Sequence, residues 1–437
     1  MVKNRNRVVS SMVDWNPFWK DDKIPDTLLG RKRSHNFPLN EILNRKEIKT
    51  LTGIRRCGKS TIIYQIINEE IRKGIKPENV LMINFDDKAL SDMELSDLIE
   101  IYREEIGPGE VINLYLDEVH NCSDWVNTLR KMYDLAQLGQ VFVTDSSSSY
   151  ISGEYTTLIS GRTINIKLHT LSFNEYIYWN KIDPKGPFNT EEIPIIKRNL
   201  KAYMKWGGYP EVVLAESDLQ RKIILKDYLD TIIYKDIVER YNADQERLKI
   251  LVGYLLSNPG SLFSPRKFSR RHNFSLETIS KYLGYMKEVN FIHTVAGFDF
   301  SYNKILKSRK KVYIEDTGLS ESFGFKFSEG KGKLMENVVF NEINRWDFDI
   351  YYWSDSNSEC DFVLKRGQDI VLAIQVCHDL NEDNIKREME GIDNCFSELN
   401  PENGMFITEH ESDLDTGNYQ KVELWRFLLD PKSYLKV

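Results

Sequence analysis

Gly53-Ile54-Arg55-Arg56-Cys57-Gly58-Lys59-Ser60-Thr61 is the stretch whose residue types and spacing most directly imply chemistry. It lies between a short apolar β-run beginning at Ile48 and apolar residues at helical spacing (Ile62, Ile63, Ile66, Ile67). That is the strand–loop–helix setting a GxxxxGK[ST] phosphate loop requires. Glycines let successive backbone N–H groups curl around a β-phosphate, and the following helix turns its positive N-terminus towards the same anion. Gly53, Arg55, Arg56, Cys57, Gly58, Lys59, Ser60 and Thr61 are therefore expected to surround the phosphates of ATP. Lys59 would reach the β- and γ-phosphates, and Ser60 would ligate Mg2+.

A second buried strand should supply the partner carboxylates. Residues 111–116 are a largely apolar run that ends in Asp117 and Glu118. Asp117 is expected to hold Mg2+ through water, and Glu118 to polarise the attacking water. The next β-run, Gln140 to Thr144, leads into Asp145 and a string of serines. Ser146, with Thr144 as the second choice, is the candidate sensor of the γ-phosphate; a plain Ser-rich turn is the alternative. Residues 158–168 read as a helix ending at Gly161 that feeds another β-run, which puts Arg162 at the sheet edge. Arg162 is then either an arginine finger for a neighbouring subunit's nucleotide or one half of an intramolecular ion pair.

The elements that must position these groups belong to a long chain. Its 437 residues, 41 % hydrophobic and 29 % charged, suit two or three globular domains rather than a disordered polymer. No apolar run approaches the roughly 18 residues of a membrane-spanning helix. The basic N-terminus lacks the apolar stretch of a secretory signal. Five scattered cysteines without a CxxC pair, and seven scattered histidines, support neither a zinc site nor a disulfide framework, and a reducing cytoplasm is the expected location. The net charge is −7, yet residues 266–311 hold eleven Lys/Arg against three acids, so this segment is +8 and the remainder −15.

That basic segment falls in a module of its own, residues 245–325. A periodic helix over 247–256 stops at Asn258-Pro259-Gly260. Ser264 and Pro265 open a second helix, Ser275 opens a third, and two β-runs follow at 291–296 and 311–315. Three helices and then a hairpin is the winged helix-turn-helix order. Arg266, Lys267, Arg270, Arg271, Lys281, Lys304, Lys307, Arg309 and Lys310 are the candidate DNA contacts, with Lys304 to Lys311 forming the wing. The alternatives are a protein-docking module or a simply solvated face.

From Gly332 the chain reads as one helix and three strands, with Glu336 on the helix and Asp361 on the second strand. This resembles the core of the PD-(D/E)xK nucleases, whose sites need two acids for Mg2+ and a (D/E)-x-K on the next strand. Here that last motif is Gln375-Val376-Cys377, which removes both a metal-binding acid and the assisting lysine. A fold without cleavage is therefore expected, unless Lys365 or Lys386 enters the site.

The blocks TGIRRCGKST, LYLDEVHNCSDW, VFVTDSSS, SGRTINIKLHTLSFNEY and WGGYPEVVL together resemble the prokaryotic AAA+-type ATPases, common in archaea, that pair an AAA ATPase domain with a C-terminal domain of unknown function. Asn16-Pro17-Phe18-Trp19 is similar to the opening of relatives. With the winged-helix and nuclease-like readings above, the chain is expected to be an α/β protein of an N-terminal segment (1–45), a P-loop AAA+ core (46–175), a helical lid (176–244), the winged helix (245–325) and a nuclease-like domain (326–437). The family resemblance implies a homo-oligomer, expected as a hexamer, with sites shared between subunits. Trp206 to Glu211 contains no arginine, so no sensor role is carried to that block. The leading expectation is an ATPase that translocates on or remodels structured DNA. A nucleotide-gated signalling or defence switch with a protein partner, and an ATP-dependent nuclease, are the alternatives.

Overall fold

The computed structural model describes residues 2–21, 23–33, 42, 45–147, 161–324 and 330–436. The chain forms two compact units, Met1–Leu168 and His169–Val437. No described helix is long and apolar enough to cross a membrane.

The first unit is a five-stranded parallel sheet of β1 (Ile48–Thr52), β2 (Val80–Asn84), β3 (Ile112–Asp117), β4 (Leu138–Asp145) and β5 (Thr163–Lys167), in the order β2-β3-β4-β1-β5. Buried on both faces, β2 and β3 read as near-continuous apolar runs, as parallel strands do. β4 intervenes between β1 and β3, so the phosphate loop after β1 and the acids after β3 open on one crevice at the carboxyl ends of the strands. The edge strand β2 is capped by the Asn16-Pro17-Phe18-Trp19 block. The fully buried Asn16 side chain donates to Met82 O at 2.8 Å and accepts from Met82 N at 2.7 Å, and Trp19 Nε1 donates to Val80 O at 2.9 Å. One asparagine amide thus stands in for a missing neighbour strand.

The second unit opens with the helices Phe173–Trp179, Glu192–Trp206, Pro210–Leu214 and Asp218–Thr231, the last running on as π-helical turns over Ile232–Glu239. The winged-helix order follows: helices Gln245–Ser257, Pro265–His272 and Leu276–Glu288, with strands β6 (Ser261–Phe263), β7 (Ile292–Gly297) and β8 (Lys310–Ile314). Ser264 and Ser275 cap their helices as the sequence predicts. Between β7 and β8 the basic stretch is not a plain loop: it carries a short helix, Tyr302–Lys307. Helix Gly330–Ile343 precedes β9 (Asp349–Ser354), β10 (Glu359–Arg366) and β11 (Asp369–Cys377). Helix Ile385–Leu399, β12 (Gly404–Thr408) and β13 (Gln420–Glu423) complete the domain.

All these strands form one mixed sheet, β13-β12-β11-β10-β9-β7-β8-β6. The seam is a parallel pairing of β7 with β9 (Ala296 opposite Tyr351, Gly297 opposite Tyr352), extended by Phe298 N donating to Tyr352 O at 2.7 Å. Phe173, Leu200 and Tyr203 share a core with Tyr313, Val339, Phe340 and Trp425.

A buried polar knot fixes the start of this unit. Glu315, 3 % exposed, is bonded to His169 Nδ1 at 2.8 Å and His293 Nε2 at 2.6 Å. Next to it, Asp316 accepts from Gly208 N at 2.8 Å and Gly318 N at 2.9 Å. This explains the glycines of the Trp206-Gly207-Gly208-Tyr209 block. Gly207 has φ +75°, and a Cβ there would lie 1.8 Å from Asp316 Oδ1. Burial foremost pushes Asp316 up to about 6.

Candidate active site

The phosphate loop has the geometry its spacing predicts. A Cβ at Gly53 would lie 2.2 Å from Leu168 O, so only glycine fits, and Gly58 takes φ +106° at the start of helix Lys59–Arg72. That helix is anchored by the buried Ile62, Ile63, Ile66 and Ile67. Lys59 is buried, donates to Gly53 O at 3.0 Å and lies 3.7 Å from Glu118 Oε1. Arg56 is exposed with φ +69°, Arg55 sits 3.6 Å from Asp86, and Cys57 O accepts from the buried Arg33 at 2.9 Å. The segment before the loop therefore braces it directly. Thr61 is half-buried one turn into the helix.

Ser60 Oγ donates to Asp117 Oδ2 at 2.6 Å, so the two expected Mg2+ ligands are already adjacent. Asn84 Nδ2, at the end of β2, reaches the same oxygen at 3.3 Å. Burial, then the charge of Glu118, pushes the Asp117 carboxyl up to about 6. A buried all-oxygen set whose acid resists ionisation fits a hard divalent cation, which would relieve that cost. Glu118 has the left-handed φ of +54°, a strained conformation that aims its carboxylate into the crevice. Burial alone would raise Glu118; Lys59 foremost, then Arg55 and His120, hold it below the ordinary range.

Sequence reading gives His120 no role and offers Thr144 only as the second choice after Ser146. His120 Nδ1 lies 3.4 Å from Glu118 and 3.2 Å from Asp145, so a third carboxylate secures the imidazole that secures Glu118. Thr144 donates its hydroxyl to Asp117 and accepts from Glu118 N at 3.2 Å, bridging both acids. Ser146 gives its backbone N–H to Glu118 Oε2 at 3.3 Å, while its buried hydroxyl has no partner among the described residues. Thr144→Val removes both of these hydrogen bonds and, at about 1 kcal/mol each, is expected to reduce ATP turnover roughly 30-fold, with nucleotide affinity little changed. Steady-state phosphate release beside a nucleotide-binding isotherm checks this.

Arg162 pairs with Asp134 at 3.1 Å and lies over the Tyr133 ring at 5.7 Å. The helix expected before Gly161 falls outside the described residues, as do Ser148 and Ser149.

On the winged helix, Arg266, Lys267, Arg270, Arg271, Lys281, Lys304, Lys307 and Arg309 are exposed. Lys281 pairs with Glu277 and Lys304 with Asp299, while the half-buried Lys310 donates to Ile305 O at 2.7 Å. A groove of about 780 Å³ runs between the two later helices and the wing, lined among others by Arg266, Ser280, Lys307 and Arg309. In the segment between β7 and β8, Phe300 and Tyr302 are 72 % and 71 % exposed.

In the nuclease-like domain, a cleft of about 770 Å³ is lined by Glu336, Glu359, Asp361, Gln375 and Cys377. Neither Lys365 nor Lys386 lines it. Lys333, one turn before Glu336, lines the cleft and donates to Glu336 Oε2 at 2.8 Å, while Lys311, from β8 and 1 % exposed, reaches the acids from beneath, bonded to Glu336 at 2.8 Å and Asp361 at 3.0 Å. The expectation that the wing extends to Lys311 is corrected here: strand alternation turns its side chain inward, to the same carboxylate that Tyr313 reaches at 2.7 Å. Cys377 Sγ is met by Asn384 Nδ2 at 3.9 Å.

A family model described as an AAA domain matches residues 45–177. Models of two domains of unknown function, DUF8612 and DUF4143, match residues 197–327 and 331–427. An uncharacterised protein of Methanocaldococcus jannaschii is 30 % identical over 406 residues, covering 90 % of this chain and 89 % of that one. An uncharacterised Haemophilus influenzae protein is 29 % identical over 346 residues, 77 % of this chain and 83 % of its own. Among solved structures, the Aeropyrum pernix Orc1 protein in complex with DNA aligns at 10 % identity and a TM-score of 0.31, over 73 % of this chain and 90 % of that one.

Proposed function

The chain belongs to the P-loop AAA+ ATPases that carry C-terminal domains of unknown function, and from that premise we propose that it hydrolyses ATP with Mg2+ and spends the energy on DNA, translocating on or remodelling structured duplexes. For the chemical step the supporting observation is the convergence of Lys59, Ser60, Asp117, Glu118 and Thr144 on one crevice. Backbone N–H groups of the loop and Lys59 bind the β- and γ-phosphates. Ser60 and Asp117 hold Mg2+, which when bound neutralises charge on the phosphate oxygens. Glu118, kept ionised by Lys59 and oriented by His120 and the N–H of Ser146, accepts a proton from the attacking water. The Ser146 hydroxyl, without a partner among the described residues, is a ready donor for a γ-phosphate oxygen.

The acting form is a homo-oligomer, with a hexamer the expected count. Arg162 is the candidate finger for a neighbour's nucleotide. Its pair with Asp134 is partly exposed (side chains 30 % and 49 %), and such a pair costs little to exchange on assembly.

DNA is supported by one observation above others. Eight of the nine candidate phosphate contacts are exposed, on the two helices and the β7–β8 segment that line the groove, and the same segment carries the exposed rings of Phe300 and Tyr302. Cations beside exposed rings suit a phosphate backbone with bases or groove edges to stack against.

The test is steady-state ATP hydrolysis with single-stranded, duplex and branched DNA, with Lys59→Ala as the blank. Several-fold stimulation by one form, absent from the blank, is expected. Binding should weaken steeply with salt, and Arg270→Ala should lower the log–log salt slope by about 1. Turnover that ignores every DNA would overturn the DNA reading and leave a protein partner in its place.

A further inference from the structure

The PD-(D/E)xK arrangement implies a divalent cation between its helix acid and its strand acid, and the residues of this cleft do not fit one. Every oxygen of the two acids already has a donor. Glu336 Oε1 accepts from Lys311 Nζ at 2.8 Å and Tyr313 OH at 2.7 Å, and its Oε2 accepts from Lys333 Nζ at 2.8 Å. Asp361 Oδ1 accepts from Lys311 at 3.0 Å, and Oδ2 from Val376 N at 3.0 Å. Glu359 is the third carboxylate on the same ammonium, at 2.5 Å. Where a third metal-binding acid would stand, Gln375 lines the cleft with both ends of its amide already engaged. Its amide donates to Glu388 at 2.6 Å and its oxygen takes Asp361 N at 3.3 Å.

We propose that Lys311 is a built-in replacement for the divalent cation: its ammonium occupies the centre of the Glu336–Glu359–Asp361 cluster, so that the cleft is a latent metal site kept closed by the chain itself. Geometry favours this over a catalytic lysine standing beside a metal. A lysine serving beside a metal leaves carboxylate oxygens to the ion, whereas this one bridges the helix acid and both strand acids at once. At 1 % exposure Lys311 has no solvated position to retreat to. Burial alone would discharge the amine, but Glu336 and Asp361, foremost among the surrounding charges, keep it protonated well above the ordinary lysine range. Because Lys311 comes from the winged-helix strand β8, the same contact pins that module to the nuclease-like one. No phosphodiester cleavage follows from such a site.

The test is Mn2+ binding by the nucleotide-free full chain, read as loss of the free-ion EPR signal. Asp117→Asn removes the acid expected to bind metal at the phosphate site. In that background we expect no bound Mn2+. Adding Lys311→Met should create one site per chain, roughly 100-fold tighter than any residual binding. A further Asp361→Asn should abolish it. Asp361-dependent Mn2+ binding while Lys311 is still present would overturn the proposal, as would a folded Lys311→Met chain that binds none. Should Lys311→Met fail to fold, the pair Asp117→Asn and Asp117→Asn/Asp361→Asn still decides. Equal, absent Mn2+ binding upholds the lysine as the resident cation, and a difference between the two refutes it.

Discussion

Glu118→Gln leaves nucleotide bound and lowers ATP turnover by about 10²- to 10⁴-fold, the range general-base catalysis supplies. The amide keeps an oxygen for the Ser146 N–H, so the fold of the crevice survives, but it cannot take a proton from water. A second effect follows from the shared electrostatics. After burial, the charge of Glu118 is the largest influence holding Asp117 at about 6. Removing that charge lets Asp117 ionise at lower pH. In the wild-type chain, Mg2+-dependent nucleotide affinity is therefore expected to weaken as pH falls through about 6, as Asp117 takes up a proton. In Glu118→Gln the same loss moves to more acid pH. Fluorescent-nucleotide titrations from pH 5 to 8, beside phosphate-release rates at pH 7.5, measure both. An unchanged rate would remove Glu118 from the base's role.

Glu315→Gln is the largest expected blow to stability. Burial works against this carboxylate, and His169 foremost, then His293, overcome that and hold it well below the usual range. Breaking such a buried pair costs about 3–5 kcal/mol. A group with a depressed folded pKa stabilises above its unfolded value, about 4.3, and loses that contribution as pH falls towards its folded one. The deficit of Glu315→Gln should thus be full at pH 7 and shrink in acid. Urea unfolding at pH 7 and at successively lower pH checks both size and sign. A deficit that does not change with pH would mean that the carboxylate's charge contributes nothing.

The ATP crevice was legible in the sequence because its chemistry is local. Gly53, Gly58, Lys59 and Ser60 must be neighbours in the chain to curl around one phosphate, and Asp117-Glu118 announce themselves at the end of an apolar strand. What escaped was assembled from afar. His120 looks like any residue after a strand, and only the return of β4 brings Asp145 to it. Thr144 was ranked below Ser146, although strand alternation gives Thr144 the hydroxyl that meets both acids. Lys311 is the sharpest case. In the run Lys307-Ser308-Arg309-Lys310-Lys311 every cation has the same composition, and the sheet pleat alone sends one of them inward. Its partners lie 25 to 50 residues downstream, beyond any periodic signal. The Trp206–Tyr209 block, compared with a lid sensor in sequence, turned out to serve close backbone approach to Asp316.

The pairing of β7 with β9 bears on how this protein can be cut, swapped or inherited. A winged helix is usually portable, a cassette that genes shuffle between proteins. Here a fragment ending at Gly324 would lose the partner of Ala296 and Gly297, leave Lys311 without any of its three carboxylates, and strip Tyr203 and Phe173 of Val339 and Trp425. Bared strand edge and unneutralised buried charge are together a recipe for aggregation. Chimeras joined between Leu168 and His169 keep every one of these contacts, which a junction at residue 325 would sever.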